Sequence, residues 1–169
     1  MKVIFLDFNG VLDTWDEMDE INYDNLERLK KISLDTEAKI VISSSLKNSY
    51  WYTGKMSKML TILVTQLTDA GLEVIGYTPI AENRESEILA YLNNHPEIED
   101  YVILDDDYDM PLLKEHLVKL PCQNVGPSQK GLQDEHMRQA IQILNKSSQN
   151  EKNSHTYQVK TISKRSFQK

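Results

Sequence analysis

The 169-residue chain has the length of one domain, and 40% hydrophobic with 27% charged residues is an ordinary composition for a globular protein. Its net charge is −7, and residues 147–169, with five cations against Glu151, carry +4, which leaves −11 for residues 1–146. An acidic body repels polyanions at long range, so a phosphate site in it would need a bound cation.

Hydropathy and cysteine content limit the cellular setting. No apolar run reaches the length that crosses a bilayer, so we expect no membrane partner. Asp7 interrupts the only early apolar run, so we expect no signal peptide either. Cys122 is the single cysteine and excludes an intrachain disulfide. These features together predict a cytoplasmic protein.

The first predicted element is a strand that delivers a carboxylate. Residues 3–6 are all apolar, Asp7 follows them, and Asn9 and Gly10 come directly after. Such a run is typical of a buried parallel strand. Because ligands of open α/β sheets bind outside the carboxyl ends of the strands, we expect Asp7 at the mouth of a site.

Helices and strands alternate through the following residues. Helical spacing of apolar residues predicts four helices, over residues 22–34, 50–70, 84–93 and 131–144. Short apolar runs predict three further strands, over residues 39–42, 72–77 and 101–104. Residues 116–120 fit either a fifth strand or the end of a helix, and either Asn22 or Asp24 would cap the first helix. The alternation predicts an α/β fold, a Rossmann-like three-layer domain around a parallel sheet.

The same pattern predicts one domain over residues 1–146 and no large cap, because the segments between the motifs leave no room for another folded unit beyond the 50–70 helix. Residues 147–169 lack apolar periodicity and are rich in Ser, Lys, Gln and Asn, which predicts a flexible basic tail. A site without a cap is open, and it suits a large substrate.

Polar side chains follow three of the predicted strands: Asp7, then Ser43 and Ser44, then Asp105 and Asp106. In a parallel sheet these groups converge at one edge. Clustered carboxylates repel one another, and an oxygen-rich site of this kind favours Mg²⁺, which also binds substrate phosphate. Arg84 and Lys47 are candidates for the cation that would bind the remaining phosphate oxygens.

These motifs resemble those of the haloacid dehalogenase (HAD) superfamily, and they read LDFNGVL, VISSS, a basic residue, and VILDDD. More narrowly, EILAYLNNHPEIEDYVILDDD with the later GLQDEHMRQAIQIL is similar to the small HAD-like domains of Swiss Army Knife RNA-repair proteins, over about residues 2–145. The resemblance implies a HAD-like fold and a Mg²⁺-dependent phosphatase, a phosphoric-ester hydrolase acting on a phosphorylated substrate through an aspartyl-phosphate. Nucleic acid is a further possible partner, for which the basic tail is the only charge argument.

The resemblance also implies a metal site. Asp7 would be both the nucleophile and a Mg²⁺ ligand, together with the backbone carbonyl of Asn9 and the carboxylate of Asp105. Asp106 would orient a metal-bound water. These four residues are the predicted metal-binding set.

A second implied set binds phosphate. Ser43, or the adjacent Ser44, would donate a hydrogen bond to a phosphoryl oxygen, and Gly10 lies in the loop that meets the substrate. Arg84 matches the position of the basic residue in the family pattern better than Lys47 does, because it lies near the start of a predicted helix.

Asn9 departs from the family pattern. The phosphatases of the superfamily carry Asp there, which protonates the leaving group and then deprotonates water. An amide cannot move that proton, and such a group typically contributes about 10²–10⁴-fold to the rate. Three alternatives follow: a hydrolase with a reactive leaving group or a different chemistry, a phosphate- or nucleotide-binding module without turnover, or a deliberately substituted chain.

Overall fold

The computed structural model describes residues 1–17, 20–122 and 130–146 of the chain. Within them, five strands form one sheet: β1 (Lys2–Leu6), β2 (Lys39–Ile42), β3 (Val74–Tyr77), β4 (Asp100–Asp105) and β5 (Leu117–Lys119). The strands lie in the order β3-β2-β1-β4-β5, and every neighbouring pair is parallel. The predicted α/β class with a central parallel sheet is confirmed.

Helices cover both faces of this sheet. The described helices are α1 (Tyr23–Thr36), α2 (Asn48–Thr53), α3 (Lys58–Asp69), α4 (Arg84–Asn94) and α5 (Asp134–Leu144). One hydrophobic cluster joins Ile4 and Leu6 of β1 to α1, α3 and α5, and the other joins Val3 and Phe5 to Ile88 of α4. The domain therefore has the three expected layers.

The packing explains why β1 reads as an unbroken apolar run. Successive side chains of a strand point to opposite faces. In β1 both faces are covered, and Val3, Ile4, Phe5 and Leu6 are all fully buried. Burying a side chain of this size stabilises the fold by roughly 1.5–3 kcal/mol relative to exposure.

The predicted 50–70 helix is wrong as a single element. Gly54, with φ of +70°, ends α2, and the side chain of Ser57 accepts a hydrogen bond from the Leu60 amide at the start of α3. The apolar residues at helical spacing, Met56 to Leu67, all lie after Gly54, whereas α2 is made of aromatic and polar residues and buries none of them. Gly54 is the residue that permits the left-handed turn.

Two alternatives left open by the sequence are resolved. Asn22 caps α1, since its side chain accepts a hydrogen bond from the Asn25 amide at 3.2 Å. A 3₁₀ turn over Lys114–His116 precedes β5, so residues 116–120 hold the end of a helical turn and then a strand. The predicted flexible tail, residues 147–169, lies outside the described residues.

The sheet order places the candidate site. β1 is the central strand, with β2 on one side and β4 on the other. The pairing continues past the strand ends, because the Ser43 amide donates to Leu6 and the Asp7 amide donates to Leu104, at 2.9 and 3.0 Å. Asp7 therefore lies between the polar ends of β2 and β4.

The described residues show no second folded unit between the strands, whose connections hold only these helices, turns and loops. In that same part of the chain, every helix is too short or too polar to cross a membrane.

Candidate active site

Three buried carboxylates meet at the end of the central strands. Asp7, Asp105 and Asp106 are 8%, 0% and 4% exposed, and one oxygen from each lies within 4.8 Å of the others. Carboxylates this close repel when ionised. A hard divalent cation would neutralise them and accept all three as oxygen ligands. The predicted convergence of Asp7 with the aspartates after β4 is thus present in the structure.

The hydrogen bonding of Asp105 leaves one oxygen available. Its Oδ1 accepts hydrogen bonds from the amides of Asp107 and Tyr108, both at 3.0 Å. Its Oδ2 is buried and has no hydrogen-bond partner among the described residues. Because buried polar atoms are rarely left unpaired, this oxygen is suited to bind a ligand, and the donor set fits a metal ion.

Electrostatics of the cluster also favour a cation. Burial, and next the carboxylate of Asp7, raise the pKa of Asp105 to about 6 from an ordinary 3.8. Because the pKa of Asp105 is higher in the folded chain than in the unfolded chain, the folded state is favoured at pH values below the unfolded pKa. This stabilisation is lost as the pH rises through the folded pKa. The ionised carboxylate of Asp105 therefore lowers the stability of the folded chain at neutral pH.

Added Mg²⁺ should therefore raise the Tm by several degrees at about pH 7.5 and by much less at about pH 5, because Asp105 must be ionised to bind it. Thermal unfolding with and without Mg²⁺ measures both shifts. Asp105→Asn should remove the shift at the higher pH. A wild-type shift of the same size at both pH values would contradict the expectation.

Arg84 lies beside these carboxylates with donors to spare. It is the first residue of α4 and is 5% exposed, with Nη2 3.7 Å from Asp7 Oδ2 and Nε 3.5 Å from Asp105 Oδ2. These contacts are too long for strong hydrogen bonds, so they are mainly Coulombic. Nε and Nη1 have no hydrogen-bond partner in the described parts of the chain. A guanidinium in this state is suited to binding an anion next to Asp7.

Lys47, the alternative cation, lies near the same carboxylates but forms its ion pair with Glu87. Its Nζ lies 2.8 Å from Glu87 Oε2, and both residues are buried. Burial lowers the pKa of Lys47, while the hydrogen bond and charge of Glu87 oppose that change. Arg84 Nη1 is 3.6 Å from the same oxygen, so Glu87 links the two cations. The geometry favours Arg84 over Lys47 as the cation beside Asp7.

A charge count sharpens the metal argument. Together with the neighbouring Glu87 and the two cations, the three aspartates form a charged group of six residues. Its four carboxylates are those of Asp7, Glu87, Asp105 and Asp106, and its two cations are Lys47 and Arg84. With all six groups ionised the net charge is −2. One divalent cation would neutralise this charge before a phosphate arrives.

The two adjacent serines differ in their bonding. Ser43 is fully buried, and its hydroxyl has no hydrogen-bond partner among the described residues. The hydroxyl of Ser44 instead accepts a hydrogen bond from the Leu46 amide at 3.4 Å and caps the following 3₁₀ turn. Of the two predicted phosphate contacts, Ser43 has the available hydroxyl.

Ser43→Ala is expected to weaken the binding of inorganic phosphate, measured by calorimetry with Mg²⁺ present, by about 5–10-fold through loss of one hydrogen bond. Ser44→Ala should instead leave the affinity near that of the parent chain and lower stability by about 0.5 kcal/mol. A larger loss of affinity in Ser44→Ala than in Ser43→Ala would reverse the assignment.

The loop after β1 is held by an aspartate that sequence reasoning did not select. Asp13 is fully buried, its Oδ2 accepts a hydrogen bond from Asn9 Nδ2 at 3.0 Å, and its Oδ1 accepts one from the Gly10 amide at 2.6 Å. The sequence held a signal for this role, because Asp13 is the second acidic residue of the stretch LDFNGVLD and follows the turn at Gly10. Asp13 thus orients the amide of Asn9.

Gly10 has a packing reason as well as its predicted role in substrate binding, which stays a prediction. Its φ is +75°, and a Cβ there would lie 2.1 Å from Asp106 Oδ2. The loop and the aspartate after β4 are therefore in close contact, which only glycine permits.

The cluster opens into a polar cavity of about 210 Å³, whose lining includes Asp7, Asn9, Arg84 and Asp106. A larger cavity of about 630 Å³ lies at α1 and α5, and it shares no lining residue with the smaller one. Its charged residues already form surface ion pairs, Arg28 with Asp134 among them at 2.7 Å. The smaller cavity is the chemically suited one.

Comparison with known proteins gives one match. A family model described as "HAD domain in Swiss Army Knife RNA repair proteins" matches residues 3–137, which is most of the chain. No curated protein and no solved structure matches the sequence. The matched range contains every residue of the cluster described above.

Proposed function

The chain belongs to the family of HAD domains in Swiss Army Knife RNA repair proteins, and from this premise we propose that it is a Mg²⁺-dependent phosphoric-ester hydrolase. The observation that carries the proposal is the buried cluster of Asp7, Asp105 and Asp106, with the unpaired donors of Arg84 beside it. A phosphatase-type fold and a set of oxygen ligands compatible with a metal ion support this activity together.

The metal would be held by Asp7, Asp105 and Asp106, with the backbone carbonyl of Asn9 as the further ligand expected from the family. When bound, Mg²⁺ supplies positive charge that offsets the charge on the transferring phosphoryl group. Because the six charged groups of the site carry a net charge of −2 when ionised, a divalent cation would stabilise them.

In the proposed mechanism, the carboxylate of Asp7 attacks phosphorus and the bond between phosphorus and the alcohol oxygen breaks. Arg84, through Nη2 and Nε on the side of Asp7 and Asp105, and Ser43 donate hydrogen bonds to the phosphoryl oxygens. Water then hydrolyses the aspartyl-phosphate, which returns Asp7 and releases inorganic phosphate. Both steps take place in the cavity at the end of β1.

Asn9 shapes which esters react well. The N–H groups of its amide are too weakly acidic to protonate the departing alkoxide, and the amide is too weakly basic to accept a proton from water. An ester whose leaving group is stable as an anion still forms the aspartyl-phosphate, whereas the second step is slow for every substrate. We therefore propose that the acyl-phosphate accumulates, and that simple alkyl phosphates turn over slowly.

Hydrolysis of an aryl phosphate tests the proposal. We expect a Mg²⁺-dependent burst of aryl alcohol, about one equivalent per chain, followed by a slow phase, and no release in the presence of a chelator. No release by this chain, and none after Asn9→Asp, would overturn the hydrolase proposal.

A second candidate function is a phosphate- or nucleotide-binding module. The observation that favours it is Asn9, whose amide donates a hydrogen bond to Asp13 and cannot act as a general acid or base. This candidate predicts Mg²⁺-dependent phosphate binding without product release, so a measured burst decides against it. In either case we propose large phosphorylated substrates, nucleic-acid ends among them, because the described residues form no cap.

A further inference from the structure

A second cavity adjoins the cavity that holds Asp7. Its volume is about 170 Å³, and it shares Ser45, Arg84 and Tyr108 with the first cavity. Its remaining lining includes Lys47, Asn48, Glu82 and Glu87. A phosphoryl group beside Asp7 would thus have a neighbouring space for the rest of its ester, with Arg84 at the boundary.

The charges that line the second cavity balance. Lys47 and Arg84 are matched by Glu82 and Glu87, and Glu87 Oε2 lies 2.8 Å from Lys47 Nζ and 3.6 Å from Arg84 Nη1. A second phosphate would be repelled by Glu82 and Glu87, and a cationic ligand would be repelled by Lys47 and Arg84. The lining therefore favours an uncharged group.

Two buried polar atoms of this lining have no hydrogen-bond partner among the described residues. Asn48 Oδ1 is an acceptor and Arg84 Nη1 is a donor. A hydroxyl group can satisfy both kinds of atom, because it donates and accepts. An apolar group would gain no hydrogen bond from either atom, so a hydroxyl-bearing group should bind more tightly.

We propose that the second cavity binds the alcohol part of the phosphoester, and that this alcohol carries further hydroxyl groups, as glycerol or a sugar does. The inference rests on the proposed function, since that function places the phosphate beside Asp7. Asn48, the first residue of α2, then determines specificity by accepting a hydrogen bond from such a hydroxyl.

Two esters with the same carbon skeleton test the proposal by calorimetry on the full chain with Mg²⁺. Glycerol 3-phosphate carries hydroxyl groups that propyl phosphate lacks, and it should bind about tenfold more tightly. Asn48→Ala should abolish this preference, whereas Asn94→Ala, at an exposed asparagine of α4, should retain it. Equal affinities for the two esters, undetectable binding of both, or a preference that survives Asn48→Ala would overturn the proposal.

Asn48→Asp tests whether misfolding, and not the lost acceptor, explains a lost preference in Asn48→Ala. It keeps the acceptor oxygen, so it should retain the preference even if its added charge weakens both esters alike. Loss of the preference in this variant would count against a hydrogen bond at this position. Because the comparison is made on binding, it is decided whether or not the chain turns over. An absent aryl-phosphate burst would overturn the hydrolase proposal alone.

Discussion

Replacing Asp7 with asparagine is expected to lower the burst rate of an aryl phosphate by about 10⁴-fold or more, because the amide cannot form the aspartyl-phosphate. The fold should survive the change. Asp7 Oδ1 accepts the Phe8 amide at 2.8 Å, and an asparagine oxygen can do the same. Removing one charge also relieves the repulsion that raises the pKa of Asp105, so the free energy of unfolding should stay level or rise.

The matched control for this variant is Asp69→Asn, which changes an exposed aspartate at the end of α3. It should keep the parent burst and the parent Tm. A burst within about tenfold of the parent in Asp7→Asn would show that another group is the nucleophile. A drop in Tm together with the lost burst would show that Asp7 acts through stability.

Asn9→Asp is expected to raise steady-state phosphate release by about 10²–10⁴-fold, the usual contribution of a general acid–base group. The new carboxyl group would lie near the position of Asn9 Nδ2, 3.0 Å from Asp13 Oδ2. Two carboxylates at this distance do not both ionise easily, so the pair should keep one proton near neutral pH. That proton is what a leaving alcohol needs.

The same substitution should lower stability, because the hydrogen bond from Asn9 to Asp13 becomes a strained carboxyl pair. Phosphate release and thermal unfolding of the variant measure the two effects together. Asn9→Ala serves as the control, since it removes the amide without adding an acid. A gain of equal size in Asn9→Ala, or no gain in Asn9→Asp, would show that position 9 does not limit turnover.

Much of the fold could be predicted because its signals are local. The run before Asp7 is apolar at every position because both faces of β1 are covered, and a parallel arrangement then brings Ser43 and Asp105 to the same edge. Neither conclusion needs a distant contact. The break at Gly54 could not be predicted from apolar spacing, because α2 buries no residue and has no apolar face that would mark it as a separate helix.

The remaining parts of the site depend on which side chains meet, either across the fold or within a turn, and residue types alone do not show this. Glu87 reads as one more acid on a helix, and only the approach of Lys47 from the segment after β2 makes it a buried partner. Asp13 reads as a loop residue until the turn at Gly10 brings it to Asn9. Ser43 and Ser44 are alike in sequence and differ because one hydroxyl caps the next turn.

The central claim is that Asp7 takes up the phosphoryl group, and mass spectrometry of the acid-quenched chain tests it most directly. After mixing with an aryl phosphate and Mg²⁺, we expect one phosphoryl group on the peptide that contains Asp7, since Asn9 cannot activate water to remove it. The modification should be absent with chelator and in Asp7→Asn. Release of aryl alcohol with no phosphorylated chain, or with the phosphoryl group on another peptide, would contradict the mechanism.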